Sequence, residues 1–207
     1  MVSLKFVLHH IPKTGGHSIV QSFRAIFGPD AVSIDKGDTP LVTTHGPSWV
    51  PFEMYPDRAH ITILRDPGDR IRSYIRYMRI VLSDTNGVDV AKLARDLPPS
   101  KFLRSDQHAI RHMTHDRQVR QLGGSDYDES EVVMPRILDQ ALESLSRMAW
   151  VGHTETLTDD LDALFGKLNP GLPPQNTSPN PDLGPIEGLD ALTSWDNRLL
   201  RAWEARQ

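Results

Sequence analysis

The stretch LKFVLHHIPKTGGHS, residues 4–18, constrains the fold more than any other part of the chain. Its first half, 4–10, is a short and mostly apolar run bounded by Pro12 and two glycines, which reads as a buried strand. Beyond the glycines, Ile19, Val20, Phe23, Ile26 and Phe27 recur at helical spacing until Gly28-Pro29 ends the helix. A strand that feeds a glycine turn and then a helix aims backbone N–H groups and the positive end of the helix dipole at the turn. A phosphate or a sulfate suits such a place. The residue order is unusual, however. In the common GxxxxGK[ST] loop the lysine follows the glycines, whereas here Lys13 precedes Gly15 and Gly16.

The pattern repeats along the chain. LVTTHG (41–46) and HITILRD (60–66) are β-branched runs ending in polar residues, and AWVGHTE (149–155) is a later one. Pro67 stands where a first helical turn tolerates it, and Ile71, Tyr74, Ile75, Met78 and Leu82 mark the amphipathic helix that follows. Helices are expected over 88–96, 100–121, 134–147, 157–168 and 187–205, with LPPS as a break and 123–131 as an acidic loop. Segment 169–185 holds six prolines and reads as a long loop. Strands alternating with helices predict an α/β fold, a mainly parallel sheet flanked by helices. One domain, 1–207, accounts for the length.

Composition narrows the chemistry. The 207 residues carry a net charge of −4, so no bulk attraction to nucleic acid is expected and any anion site must be a local gathering of positive charge. The absence of cysteine excludes disulfides, thiolate zinc sites and a cysteine nucleophile. No apolar run approaches the ~20 residues of a membrane span, and no signal peptide is legible, so a cytoplasmic protein is expected.

Two anion sites are legible. In the first loop Gly15 and Gly16 let the backbone approach an anion, Thr14 and Ser18 offer hydroxyls, and Lys13 adds a full charge. An ordinary turn with a solvated lysine is the alternative. The second lies in ILRDPGDRIRS, where Arg65 ends a strand and Ser73 follows in the next helix. In parallel sheets the strand C-terminal ends line one crevice, which places Arg65 on the same edge as the first loop. Two anion sites on one edge suggest a ligand with two phosphate-like groups. The other arginines of this helix, 70, 72, 76 and 79, read as its solvated face.

Together, IPKTGGHS and RDPGDRIRS resemble the 5′-phosphosulfate loop and the 3′-phosphate motif of the sulfotransferases that use PAPS (3′-phosphoadenosine 5′-phosphosulfate). The resemblance is to the carbohydrate branch of the heparan sulfate 2-O-sulfotransferase type, with further echoes in TTHG, SDQHAIRHM and VGHTE. It implies a P-loop-like sulfotransferase fold, PAPS as donor, no metal, and a hydroxyl-bearing, carbohydrate acceptor. Lys13, Thr14, Gly15, Gly16, His17 and Ser18 would wrap the 5′-phosphosulfate, with Lys13 at the bridging oxygen. Arg65 and Ser73 would hold the 3′-phosphate, and His45 would be the base. His17 departs from the family, which usually has a small hydroxyl residue there. The eukaryotic relatives carry a membrane anchor that has no counterpart here, so a bacterial-type enzyme is the expectation.

Other readings remain beside this one. A small-molecule P-loop kinase would need magnesium and the GxxxxGK[ST] order, and a silent nucleotide-binding scaffold would need neither His45 nor turnover. His108, His112 and His115 at i, i+4 and i+7 could bind a metal, although a polar helix face is the expected outcome. Arg111 is a possible ligand contact, and one of His9 and His10 is expected in the core. Trp49, four residues past His45, could stack on a sugar or simply pack. The sequon at 176–178 is discounted, since Pro179 follows it.

Overall fold

The apolar runs pair side by side and all in one direction. In the computed structural model, which describes residues 5–80, 88–125, 131–166, 170–171 and 182–207, five parallel strands form one sheet in the order β2-β3-β1-β4-β5. The strands are β1 (Phe6–His9), β2 (Val32–Ile34), β3 (Leu41–Thr44), β4 (Ala59–Leu64) and β5 (Trp150–His153). The helices from the first half are α1 (Gly16–Phe27), α2 (Trp49–Met54), α3 (Pro67–Ile80), α4 (Val88–Asp96), α5 (Pro99–Leu103), α6 (His108–Thr114) and α7 (Arg117–Leu122). After them come α8 (Met134–Ser146), α9 (Leu157–Phe165), α10 (Leu189–Leu192) and α11 (Ser194–Glu204). None of the described helices is long and apolar enough to cross a membrane.

The α/β expectation with a parallel sheet is met. β1 sits at the centre, paired with β3 on one side and β4 on the other, in the register His9↔Thr44 and His9↔Thr62. Parallel pairing brings the segments that follow β1, β3, β4 and β5 to a single edge. The chain winds to one side of β1 through β2 and β3, then crosses to β4, so the first loop lies at the point where the strand order reverses. Ligands of such sheets bind there. Leu8, Ile61 and Ile63 of the central strands pack with Ile19 and Phe23 of α1 and with Leu157 and Leu161 of α9. Leu64 and Ile11 pack instead with α7, α8 and α11.

The strands at 4–10, 41–46, 60–66 and 149–155 are present with shorter bounds, and β2 is an additional one. The predicted helix 100–121 is three short helices. Pro98 and Pro99 set the start of α5, and Asp116 adopts a left-handed backbone (φ 44°) between α6 and α7. Thr193 divides the last helix into α10 and α11. The 169–185 loop, the sequon, Leu82 and most of the acidic loop lie largely or wholly outside the described residues.

The arginines of α3 correct the sequence reading most. Arg70 is fully buried, donating to the carbonyls of Met113 and Thr114. Arg72 donates to Gly184, and Arg79 to Ala94 and Leu97. The helix is covered by other helices where an exposed face was expected, and these three guanidiniums find carbonyls left open at helix ends and loops.

Arg70 and Arg120 are both fully buried, and two carboxylates balance them. Asp116 Oδ1 accepts from the N–H of Trp195 (2.8 Å) and Asp196 (2.9 Å), capping α11. Asp196 in turn accepts from the N–H of Val119 (2.7 Å) and from that of Gln118, capping α7. The two helices thus exchange capping carboxylates. Burial and the neighbouring Asp196 push Asp116 up to about 7, and burial pushes Asp196 up against the pull of Arg70.

Asp196→Ala removes the α7 cap and leaves two buried guanidiniums short of a counter-charge, so urea unfolding should show a loss of about 3 kcal/mol. Asp196→Asn keeps a capping oxygen and should lose less. Equal stability of the alanine variant and the parent would refute the reciprocal-cap account.

Candidate active site

A cavity of about 900 Å³ opens at the sheet edge where β1, β3, β4 and β5 end. Its wall includes Lys13, Gly15, Gly16, His17 and Ser18 from the first loop and α1. His45 comes from the segment after β3, and Arg65 and Ser73 from the end of β4 and from α3. Of the residues that the sequence assigns to the donor site and to the base, only Thr14 is missing from that wall. Its side chain is buried, and its hydroxyl donates to the Ile11 carbonyl at 2.8 Å, so it closes the turn from behind.

The loop is bent where an anion would need it bent. Lys13 is left-handed at φ 71°, a strained conformation for a residue with a side chain, and Gly15 follows at φ 96°. Gly16 is required by packing, since a Cβ there would lie 2.4 Å from Cδ2 of His10. No side chain caps α1, and of its first-turn N–H groups that of Ser18 bonds back to the Gly15 carbonyl at 2.9 Å. Thr154 Oγ1, from the end of β5, donates to the carbonyls of Thr14 and Leu64 and ties the loop to its neighbours.

The two cations meet here. Arg65 Nη1 donates to the Lys13 carbonyl at 3.1 Å, while Arg65 Nε is buried with no partner among the described residues. Lys13 Nζ rests 4.0 Å from the centre of the Tyr77 ring. Neither cation forms an ion pair among the described residues. Burial, with Arg65 adding to it, lowers Lys13 to about 8. Burial likewise lowers Arg65, although Asp69 and Glu155 oppose it. Glu155 and Asp159 also line the cavity, and Glu155 Oε1 accepts from the Asp66 N–H at 2.9 Å.

Imidazoles occupy the other side. His45 stands at the rim with its ring centre 4.7 Å from that of His10. Burial and Arg117 lower His45 despite Asp35, so it is neutral and able to accept a proton at neutral pH. Burial, His45, His17 and Lys13 together lower His10 to about 4. His17 is exposed and pairs with Gln21 at 3.0 Å.

The remaining candidates lie elsewhere. His9 is the core histidine, bonded to His60 at 2.8 Å. His108 and His112 stack on α6, but His115 caps the end of that helix in an extended conformation, so the three do not share a face. His112 instead meets Arg117 at 2.8 Å. Among the described residues no group of three metal-ligating side chains forms. Arg111 is exposed away from the cavity. Trp49 is half exposed and faces a second groove with Arg136, Gln140 and Arg147. His10, Arg76 and Tyr77 were not singled out as site residues, yet all line the cavity. The signals were there: alternation sends the second histidine of a strand-end pair to the opposite face from the first, and 76 and 77 follow Ser73 by three and four on a helix.

Compared with protein-family models and with curated proteins, the chain matches none at a significant level.

Inorganic sulfate tests the electrostatics of the cavity without reference to a reaction. It keeps its charge across the alkaline range, whereas Lys13 loses its proton near 8. Sulfate affinity followed by calorimetry should therefore hold at pH 7.5 and fall about tenfold by pH 9.5. In Lys13→Met it should be weak and flat. A flat profile in the parent protein would remove Lys13 from the anion site.

Proposed function

We propose that this chain is a sulfotransferase that moves the sulfuryl group of PAPS to a hydroxyl, on a carbohydrate or glycoconjugate. The observation that carries the proposal is the convergence of Lys13 and Arg65, without ion pairs among the described residues, on one cavity beside the glycine turn. Such a site asks for a ligand with two anionic groups, and PAPS has one at each end of its ribose. The residues present fit it: the orphaned Arg65 Nε is a donor in want of an oxygen, and no side chain caps the N-terminal end of α1.

In this reading the loop and the first turn of α1 hold the 5′-phosphosulfate, and Arg65 and Ser73 hold the 3′-phosphate. The acceptor oxygen attacks sulfur in line. A new oxygen–sulfur bond forms as the bond from sulfur to the 5′-phosphate oxygen breaks, and His45 takes the acceptor's proton. Charge grows on the departing phosphate oxygen, where Lys13 stabilises it. A sulfuryl group carries less charge than a phosphoryl group, which lowers the need for a metal beside it. The proposal extends to a cytoplasmic enzyme of bacterial type.

Calorimetric titration with 3′,5′-adenosine bisphosphate, the desulfated product, and with ATP and magnesium separates the readings. Metal-independent binding of the bisphosphate, abolished in Arg65→Ala, is expected. Binding of ATP with magnesium alone would replace the proposal with a kinase. With PAPS and a glycan acceptor, His45→Ala should lose about 10²- to 10⁴-fold in kcat while the bisphosphate affinity holds. Unchanged turnover in that variant would remove His45 as the base.

A further inference from the structure

Helix α3 carries arginines at 70, 72, 76 and 79, and three of them are engaged by carbonyls. Arg76 differs. It lines the cavity, and its Nε is buried without a partner among the described residues. Although the Nε of Arg70 is likewise buried without a partner, among the described residues only Arg76 of the four has no hydrogen bond from any guanidinium nitrogen and no ion pair. A buried donor left without an acceptor is costly, so a side chain held this way points to an acceptor that arrives with a ligand.

Its neighbours sharpen the inference. Ser73 precedes Arg76 by three residues on α3 and lines the same cavity. Arg65 faces it from the end of β4 with its own Nε buried and unpartnered. The two guanidiniums are close enough for Arg76 to disfavour the charge on Arg65. Two forked donors and a hydroxyl converging in this way match the three terminal oxygens of a phosphate group. The acidic residues of the cavity, Glu155 and Asp159, make no ion pair with either guanidinium.

We propose that Arg76 determines specificity in the nucleotide site, joining Arg65 and Ser73 around the second anionic group and setting a preference for a nucleotide that bears a 3′-phosphate. The identity of the nucleotide rests on the sulfotransferase reading. The existence of an oxyanion site built on Arg65 and Arg76 rests on the cavity alone.

The test titrates 3′,5′-adenosine bisphosphate, adenosine 5′-monophosphate and inorganic pyrophosphate into the parent protein, Arg76→Met and Arg76→Lys. Arg76→Met should weaken the bisphosphate about 10- to 100-fold and leave the monophosphate within about twofold. Arg76→Lys, which keeps the charge without the fork, should fall between and carries the test if the methionine variant unfolds early. Equal losses for both nucleotides, or none, overturn the proposal. Pyrophosphate separates it from the reading it rests on. A parent protein that binds pyrophosphate but not the bisphosphate refutes the donor assignment, and Arg76 then stands or falls on whether Arg76→Met weakens pyrophosphate. Binding of neither by the parent overturns both.

Discussion

The geometry of the cavity depends on a six-residue helix that is buried although most of it is polar. Every residue of α7 is buried, including two arginines and two glutamines. Gln118 holds the backbone of Arg65 in both directions, accepting from its N–H at 3.0 Å and donating to its carbonyl at 2.9 Å. Gln121 donates to the carbonyl of His10, and Arg117 to that of His45. These are the residues that leave β1, β3 and β4 at the ligand-facing edge. Parallel strands supply the edge, but the polar side chains of α7 fix how each chain departs from it. The reciprocal caps of Asp116 and Asp196 hold α7 in place, so the site is supported by a polar layer joined by mutual hydrogen bonds, although Gln121 Oε1 and Asp196 Oδ2 have no partner among the described residues.

The cavity itself runs the opposite way. Lys13, Arg65 and Arg76 gather at one wall without ion pairs among the described residues, and Lys13 is left with only the face of Tyr77. Burial lowers the proton affinity of both Lys13 and Arg65, with a neighbouring guanidinium adding to it in each case and Asp69 and Glu155 opposing it at Arg65. The strained backbone of Lys13 adds to this tension. A fold whose net charge is −4 had acids enough to neutralise this wall. Arg65 has Asp69, Glu155 and Asp66 within electrostatic reach, as Arg70 has Asp196 and Asp116. The Arg70 guanidinium, however, is taken up by the carbonyls of Met113 and Thr114, whereas among the described residues Arg76 makes neither a hydrogen bond nor an ion pair.

The sequence made the ligand-facing half of this legible and the supporting half opaque. Strands β1, β3, β4 and β5 announce themselves because buried parallel strands are continuous apolar runs, and the loop by its glycines. Strand β2 is three residues at the sheet edge with Ile34 two-thirds exposed, too short and too exposed to leave a pattern. Helix α7 falls at the end of the helix expected over 100–121, but its burial is hidden for a deeper reason. A segment reading Asp-Arg-Gln-Val-Arg-Gln-Leu has the composition of a surface, and nothing local says that its hydrogen bonds will be made to three distant strand ends. The burial of Arg70 is hidden in the same way, because amphipathic spacing marks which face is apolar but not whether another helix covers the rest.

The placement of the lysine before the glycines acquires a physical sense from these contacts. The left-handed turn at Lys13 presents its carbonyl to Arg65 and lays its amine over Tyr77 on α3. A lysine placed after the glycines would stand in the first turn of α1. Standing before them, Lys13 is bound to the β4–α3 side of the cavity, so its charge and that of Arg65 share one space and one hydrogen bond. The glycine turn and the Arg65 segment are therefore mechanically joined: any shift of the Arg65 side chain moves or breaks the bond that holds the Lys13 backbone. A ligand with a single anionic group would engage one half of this arrangement and leave the charge of the other half uncompensated. One with an anionic group for each half satisfies both at once, and that is the case in which an early lysine, a strained turn and an unpaired arginine stop being separate oddities and become parts of one binding geometry.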